Sequence, residues 1–355
     1  MKRRLLLVLC LSLIVAANLV TVSAFAQSKI TFWTLGPTYT RVIQALMPEF
    51  EKEFPHVELE LVPGMGGPDR ITAAFASGDA PDIFTIGSLY APQWIAQGLV
   101  HPVDFDAIGV KDQQEFEDLY FPGIGGTIFL GGEAYFLPTE VTTFASYVNR
   151  HLFDQAGIGE IPETWEGIRD LGSKLSRVNA DGVFERQAMT LMRMNGWWNT
   201  LYLTSMMRQL GTDWLDESGN PNFTDPSSVR AWEAYLSLHS SGAWDPTQNW
   251  NTFTRGQAAI FPGPSYHHKT FTMTAEQQAD FVVENAPYPT FADGTLVSPS
   301  YASGLFVSKQ SADPKLAWQV ANFFAGREAA RCTLPSRGMC CRHAPMNRTP
   351  ADTAS

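Results

Sequence analysis

The chain has 355 residues and carries 36 Asp and Glu against 25 Lys and Arg, a formal charge of −11, with 45% hydrophobic residues. That length supports about two domains with cores of their own. So acidic a surface repels phosphate backbones and anionic lipid, which argues against nucleic-acid and membrane-surface roles.

In chain order, Lys2, Arg3 and Arg4 precede an apolar run from Leu5 to Val20, and Ala24-Phe25-Ala26 supplies a small-x-small cleavage pattern. Residues 1–26 read as a secretory signal peptide cut before Gln27. Leu5–Ala26 approaches spanning length, but Asn18, Thr21 and Ser23 weaken its far end, so cleavage is favoured over an uncleaved anchor. Cys10 follows Leu9 and lies early in the run, which does not suit lipid attachment. Cleavage leaves 22 basic against 36 acidic residues, a balance near −14, and places the protein in the periplasm or on the outer face of the cell membrane. Residues 27–331 contain no cysteine, so the exported body is expected to fold without disulfides.

The mature start reads as strand, Lys29–Thr34, then a Gly36-Pro37 turn and a helix over Thr40–Phe54 with Val42, Leu46, Met47 and Phe50 at helical spacing. Val57–Val62 alternates as a strand, Asp69–Ser77 is a helix, and Ile83–Ile86 a short apolar strand. This order with short connections predicts parallel βαβ units. It also places the loop Gly87–Tyr90 at the carboxyl end of a buried strand, where open α/β sheets keep their ligands. Gly, Ser and Tyr there offer hydroxyls and a ring face but no nucleophile–base pair, so Ser88 and Tyr90 are expected to face a ligand and Asp82 to be structural.

Glu133–Pro138 and Thr143–Val148 read as two strands meeting at a Pro-marked crossing between lobes. Helices are predicted over His151–Ala156, Trp165–Ser176 (with Pro162-Glu163-Thr164 as its N-cap region), Trp197–Gln209 and Ser228–Ser240, the last capped by Asp225-Pro226-Ser227. Leu215–Phe223 is a turn or short hairpin, Thr254–Phe261 a short helix and strand, Gly304–Ser308 a strand and Asp313–Phe324 a helix. Trp232 and Trp318 lie on apolar helix faces and are expected in the core. Adjacent Trp197 and Trp198 point about 100° apart, so one of them is expected to face a cleft.

Catalytic motifs are scarce. Gly64–Gly67 lacks the Lys-Ser/Thr of a phosphate loop and reads as a flexible turn. Asp213, Asp216 and Glu217 miss the calcium-loop alternation. Adjacent His267 and His268, or Cys340, Cys341 and His343, are poor metal sets, so neither metal nor cofactor is expected. The stronger signal is aromatic. Of 10 Trp, 10 Tyr and 23 Phe, several fall in predicted loops: Trp33, Tyr39, Tyr90, Trp197, Trp198, Trp250, Tyr266 and Tyr301. Sugars stack their C–H faces on such rings and hydrogen-bond through their hydroxyls.

Taken in order, KITFWT, EFEKEFPHVELELV, ASGDAPDIF, QGLVHPVD, FLPTEVTTFASYVNRHLFDQAG, IPETWEGI, FTDPSSVRAWEAYL, FTRGQAAIFPGPS and GLFVSKQSADPKLAWQVANFF resemble the family 1 extracellular solute-binding proteins of ABC importers, maltose-binding-protein-like and other oligosaccharide binders. The resemblance covers Ser28 to about Glu328. It implies a two-lobed α/β periplasmic-binding-protein fold (type II-like), each lobe a mostly parallel sheet flanked by helices, with a hinge between them. By it, residues 27–138 and 295–328 form lobe 1, 139–294 lobe 2, and 329–355 an irregular tail. Carried onto this chain, the family's cleft takes Thr34, Thr38 and Tyr39 after the first strand, and Ser88 and Tyr90 after the third. Glu140 and Thr142, Trp197 and Trp198, Ser265 and Tyr266, and Tyr301 and Ser303 complete it. The family often has an acidic residue at the place of Thr142 and a tryptophan at that of Ser265, for which Glu140 and Tyr266 are nearby substitutes.

Family members also continue past the Asp313–Phe324 helix with helices that complete the second lobe; the Arg-, Pro- and Cys-rich tail from Arg327 reads instead as that of a truncated chain. The implied function is non-enzymatic: a monomer that captures a carbohydrate, in particular an oligosaccharide, between its lobes and delivers it to membrane permease subunits. The alternatives are a secreted carbohydrate hydrolase using two carboxylates, or a binder of polyamine or glycerol phosphate, for which Arg193 is the candidate phosphate ligand.

Overall fold

The computed structural model describes residues 27–64, 67–120, 129–192 and 196–330, the side chains of Thr38, Leu130, Trp197 and 327–330 excepted. The signal segment, Met65 and Gly66 of the glycine turn, Arg193 and the cysteine-bearing tail therefore lie outside the described residues.

The first lobe grows from β1 (Ser28–Trp33), α1 (Pro37–Glu53), β2 (Val57–Val62), α2 (Pro68–Ser77) and β3 (Ile83–Gly87). β1 pairs parallel with both β2 and β3, as the βαβ reading requires. α1 begins at Pro37, earlier than expected, because proline's fixed φ suits the first helical position and its missing N–H has no helical partner there. Its Val42, Ile43, Leu46 and Phe50 recur at helical spacing and are buried. Asp82 is structural: it accepts hydrogen bonds from the Thr31 N–H (2.8 Å) and the Ser311 hydroxyl (2.5 Å). A 3₁₀ turn, Ser88–Tyr90, leads into α3 (Ala91–Ala96); α4 (Gln113–Asp118) and the small hairpin of β4 (Phe129–Leu130) and β5 (Glu133–Ala134) follow.

β6 runs without interruption from Leu137 to Asn149, where two strands were expected. Pro138 lies inside it. Between Ser303 and Gly304 of the facing strand the partner jumps from Glu140 to Pro138, leaving Thr139 as the extra residue of a bulge. A bulge is where a sheet accepts proline and bends. Gly304 is required beside it, since a Cβ there would run into the carbonyl of Leu137.

The second lobe contains α5 (Arg150–Gln155), α6 (Trp165–Asp170), α7 (Gly172–Leu175), β7 (Arg177–Val178), β8 (Phe184–Met189), α8 (Gly196–Gln209) and α9 (Pro226–Ser240). α10 (Asn251–Thr254), β9 (Ala258–Pro264), the 3₁₀ turn Ser265–His267, α11 (His268–Gln277) and β10 (Val283–Ala286) complete it. The single helix expected over Trp165–Ser176 is two, because at Gly172 the chain meets another backbone: a Cβ would lie 2.8 Å from the Ser241 carbonyl oxygen. The N-caps hold as read, with Thr164 accepting from the Gly167 N–H and Asp225 from those of Ser227 and Ser228. The Leu215–Phe223 turn closes through a Leu215–Pro221 bridge.

β11 (Ser300–Val307) returns to the first lobe, antiparallel to β3 and β6, and α12 (Pro314–Ala330) closes the chain's described part. Apart from the β4–β5 hairpin, the described strands form one nine-stranded sheet, with the eight-stranded path β2-β1-β3-β11-β6-β9-β8-β7 and β10 also on β6. A mostly parallel sheet in each lobe is corrected for the second: among its described strands only β8–β9 pair parallel, while β6–β9, β6–β10 and β7–β8 are antiparallel. Two hydrophobic cores result, one around Phe32, Phe84 and Phe306, the other around Phe144, Tyr202 and Phe261. Trp318 is in the first. Trp232 is not core: 37% exposed, it lies on the outer side of α9 with its edge to Trp214.

Candidate functional site

The bulged middle of β6 sits where the two half-sheets meet, and there the sequence-predicted residues converge. Glu140 and Thr142 lie on β6 opposite Ser303 and Tyr301 of β11, and Ser303 faces Gly87 of β3 on its other side. The ends of β1 and β3 bring Tyr39 and the Ser88–Tyr90 turn from the first lobe; the end of β9 and the start of α8 bring Tyr266 and Trp198 from the second. Carboxyl strand ends are where side chains can project into a crevice without breaking the ladder.

Glu140 is the centre, 8% exposed. Tyr39 donates its hydroxyl to Oε2 at 3.1 Å and Thr142 donates to Oε1 at 3.4 Å. A buried carboxylate needs such donors, since an unsolvated charge is costly. The Tyr301 hydroxyl hydrogen-bonds to Thr142 and Tyr266, and burial, with the nearby charge of Glu140, holds its phenol well above the usual range. Tyr301 is therefore a neutral donor at any physiological pH. Trp198 meets the Tyr301 ring edge-on at 6.3 Å and packs on Phe144 at 6.2 Å. The result is a carboxylate with hydroxyl donors on both oxygens, walled by rings from both lobes.

Tyr39, Glu140, Thr142, Tyr266 and Tyr301 thus form one hydrogen-bonded group, with Ser303 beside it in register and Trp198 against it. Tyr90 is half-buried near the Tyr301 hydroxyl and stacks on Trp94; Ser88 is buried in the turn before it. Two further candidates are engaged within the protein. Thr34 pairs its hydroxyl with that of Thr40 at 2.6 Å, tying β1 to α1, and the Ser265 hydroxyl accepts the Thr143 N–H at 3.4 Å. The side chains of Thr38 and Trp197 lie outside the described residues. Tyr39 and Tyr301, expected in loops, stand on a helix and a strand. Sequence reasoning missed Phe144, which backs the aromatic wall between Trp198, Tyr202 and Tyr288; its place in an alternating strand was the available signal.

The family profile described as bacterial extracellular solute-binding protein matches residues 36–331. The chain belongs to that family. Among relatives of this solute-binding protein is the mannitol-binding protein of Pseudomonas aeruginosa, 26% identical over 201 residues, which are 55% of this chain and 44% of that one. Two solved structures share its fold with a TM-score of 0.71. Lmo0181 from Listeria monocytogenes, in complex with cycloalternan, is 18% identical, with 92% of this chain and 84% of that one covered. UgpB from Mycobacterium tuberculosis, in complex with glycerophosphocholine, is 20% identical, with 89% and 79% covered.

Of the remaining sites read from the sequence of this solute-binding protein, His267 is packed into the core. His267 does not pair with His268 for a metal. Its ring is packed between Trp250 (4.2 Å) and Phe271 (5.3 Å, 11° from parallel), and burial lowers its pKa to about 4. Among the described residues no three His, Cys, Asp or Glu side chains are grouped to hold a metal ion. No described helix is long and apolar enough to cross a membrane.

Proposed function

We propose that this protein captures a carbohydrate between its two lobes and presents it to the membrane subunits of an ABC importer. The observation that carries the reading is the Glu140 group: a buried carboxylate flanked by neutral hydroxyls and set among rings from both lobes. Carboxylate and hydroxyl oxygens match the donors and acceptors of sugar hydroxyls, and the rings match sugar C–H faces. The ligand side chains are Tyr39, Ser88, Tyr90, Glu140, Thr142, Trp198, Tyr266, Tyr301 and Ser303. Residues 27–138 with the chain after 294 form one lobe and 139–294 the other, and the protein acts as an exported monomer. Because residues of both lobes contribute, ligand favours the closed population, which is the state a permease would read. The protein binds and releases; it does not cleave.

Mannitol-binding and cycloalternan-binding relatives make an alditol and an oligosaccharide natural first probes. Calorimetric titration of the purified protein with mannitol, maltose and maltotriose, with product analysis of the same mixtures, tests the reading. Saturable binding of at least one, without products, is expected. Release of shorter sugars supports the hydrolase alternative and overturns the proposal; binding of glycerophosphocholine or spermidine but of none of the sugars overturns the ligand class.

A further inference from the structure

Between β10 and β11 the chain crosses back to the first lobe through residues 287–299, which contain neither helix nor strand. Backbone without a ladder must find other partners for its N–H and C=O groups. One side chain meets much of that need. Gln209, at the end of α8 and 2% exposed, donates its two amide hydrogens to the carbonyls of Pro289 and Val297, both at 2.8 Å. Its Oε1 accepts the Trp165 indole N–H at 3.0 Å, and its backbone carbonyl accepts the Thr295 N–H at 2.9 Å. A carboxamide has two donor hydrogens and an acceptor oxygen, and here each is directed at a complementary group, so its orientation is fixed.

The near half of the crossing has further anchors. Thr290 exchanges backbone bonds with Glu163 and Trp165, and Arg230 forks onto Asp293 at 2.7 and 2.6 Å. The far half, Thr295 to Val297, is held mainly through Gln209, with the Thr290 hydroxyl also donating to the Thr295 carbonyl at 3.3 Å. Directly beyond, the Ser298 hydroxyl donates to the Phe144 carbonyl at 3.1 Å, and β11 begins at Ser300 opposite Thr143.

We infer that Gln209 is a positioning residue that fastens the return crossing to the second lobe as far as Val297, so that bending between the lobes is confined to the β6–β11 rungs 140–143 and 300–303. Those rungs carry Glu140, Thr142, Tyr301 and Ser303. The bending segment and the floor of the candidate site are then one piece of sheet, and a solute bound to those side chains stiffens the hinge directly. With the Ser298 hydroxyl also on the Phe144 carbonyl, the division between lobes on the return crossing falls after Ser298 rather than after residue 294. The inference rests on the two-lobed fold and is independent of which solute binds.

Hydrogen exchange on the unliganded, full-length protein tests it. In the unsubstituted chain the Thr295 amide is expected to exchange as slowly as the β9 amides and more slowly than those of residues 300–303. Gln209→Met keeps the side-chain length and removes the three side-chain hydrogen bonds, leaving only the backbone carbonyl that accepts the Thr295 N–H; it is expected to speed exchange over residues 295–303 about ten-fold and to leave β9 unchanged. Arg230→Ala, which releases Asp293, is expected to leave residues 300–303 unchanged. Rapid exchange at Thr295 in the unsubstituted chain overturns the inference, and that measurement stands even if Q209M fails to fold. A uniform rise across the second lobe in Q209M, with no excess at 295–303, overturns it equally.

Discussion

The two lobes solve the same packing problem with different side chains. The first stacks mostly plain rings: Phe84 lies on Phe306 at 5.5 Å, with Phe75 and Trp94 edge-on or tilted around them, Trp94 also donating its indole N–H to Thr72 at 3.2 Å, and Phe50 lies on Phe324 at 5.3 Å. The second is built from rings that also carry a polar atom. Buried Tyr202 donates to the Pro262 carbonyl at 2.8 Å, Tyr288 shares a 3.0 Å hydrogen bond with Ser205, and Tyr147 donates to the Ser265 carbonyl at 3.3 Å. Burial pushes the Tyr147 phenol up to about 12 and holds those of Tyr202 and Tyr288 well above the usual range, so all three remain protonated. In the first lobe shape largely decides what a position tolerates; in the second, most of these buried hydroxyls also need a partner, although Trp244 Nε1 and His267 Nε2 are buried without one among the described residues.

The largest expected effect tests the apolar side of that contrast. Phe84→Ala removes a ring with no exposed surface and leaves a cavity among Phe75, Trp94 and Phe306. A loss of about 3–5 kcal/mol is expected in urea unfolding, with exchange protection falling in β1 and β3 before β9. Equal loss of protection in both lobes would break the comparison, because it would make them one cooperative unit.

The polar side is tested by pH. His267 is 5% exposed and held neutral by burial, with its pKa near 4 against an ordinary value of 6.5. The unfolded chain therefore takes up the proton first as pH falls from 6.5 to 4. Stability from the neutral ring is whole above 6.5, declines through that window and is flat below it. At its full extent the change is about 3 kcal/mol. Urea midpoints at pH 7, 5.5 and 4 should fall more steeply for the unsubstituted protein than for His267→Phe; parallel slopes would remove the assignment.

At the seam between the lobes the expected effects are on binding. Glu140→Gln replaces the acceptor-only carboxylate that Tyr39 and Thr142 share, and is expected to weaken sugar binding by roughly ten- to a hundredfold, about 1–3 kcal/mol. Tyr39→Phe deletes one donor and should cost less. Calorimetry with mannitol and maltose reads both; an E140Q affinity equal to the original would remove Glu140 from the site.

The contrast also marks what was legible in the sequence. First-lobe elements follow local periodicity, and Ile30, Phe32, Val42, Leu46 and Phe50 are buried where their spacing puts them. The placement of Glu140, Tyr301 and Tyr266 at the crossing was legible from motif order. Their joining was not, because Tyr39 and Glu140 are 101 residues apart and no local pattern encodes that hydrogen bond. The continuity of β6 through Pro138 depends on a bulge read only against β11, and the break in α6–α7 depends on the approach of Ser241 and Ala243. Each miss has a tertiary contact as its cause.

The smallest expected effect comes from a residue that composition alone would put among the largest. Trp232 follows Val229 and precedes Leu236 on α9, an apolar stripe at helical spacing, yet all three are exposed, Leu236 by 60%. Periodicity says that a helix has an apolar side; it does not say that anything covers it. What Trp232 does contact is Trp214, ring edge to face at 6.1 Å, over the short turn that precedes the helix. Trp232→Ser should therefore cost about 1–2 kcal/mol, under the loss expected for F84A, although tryptophan is the larger side chain. A loss as large as that of F84A in the same urea series would mean that the second lobe draws its stability from apolar volume after all, and the distinction between the lobes would fail.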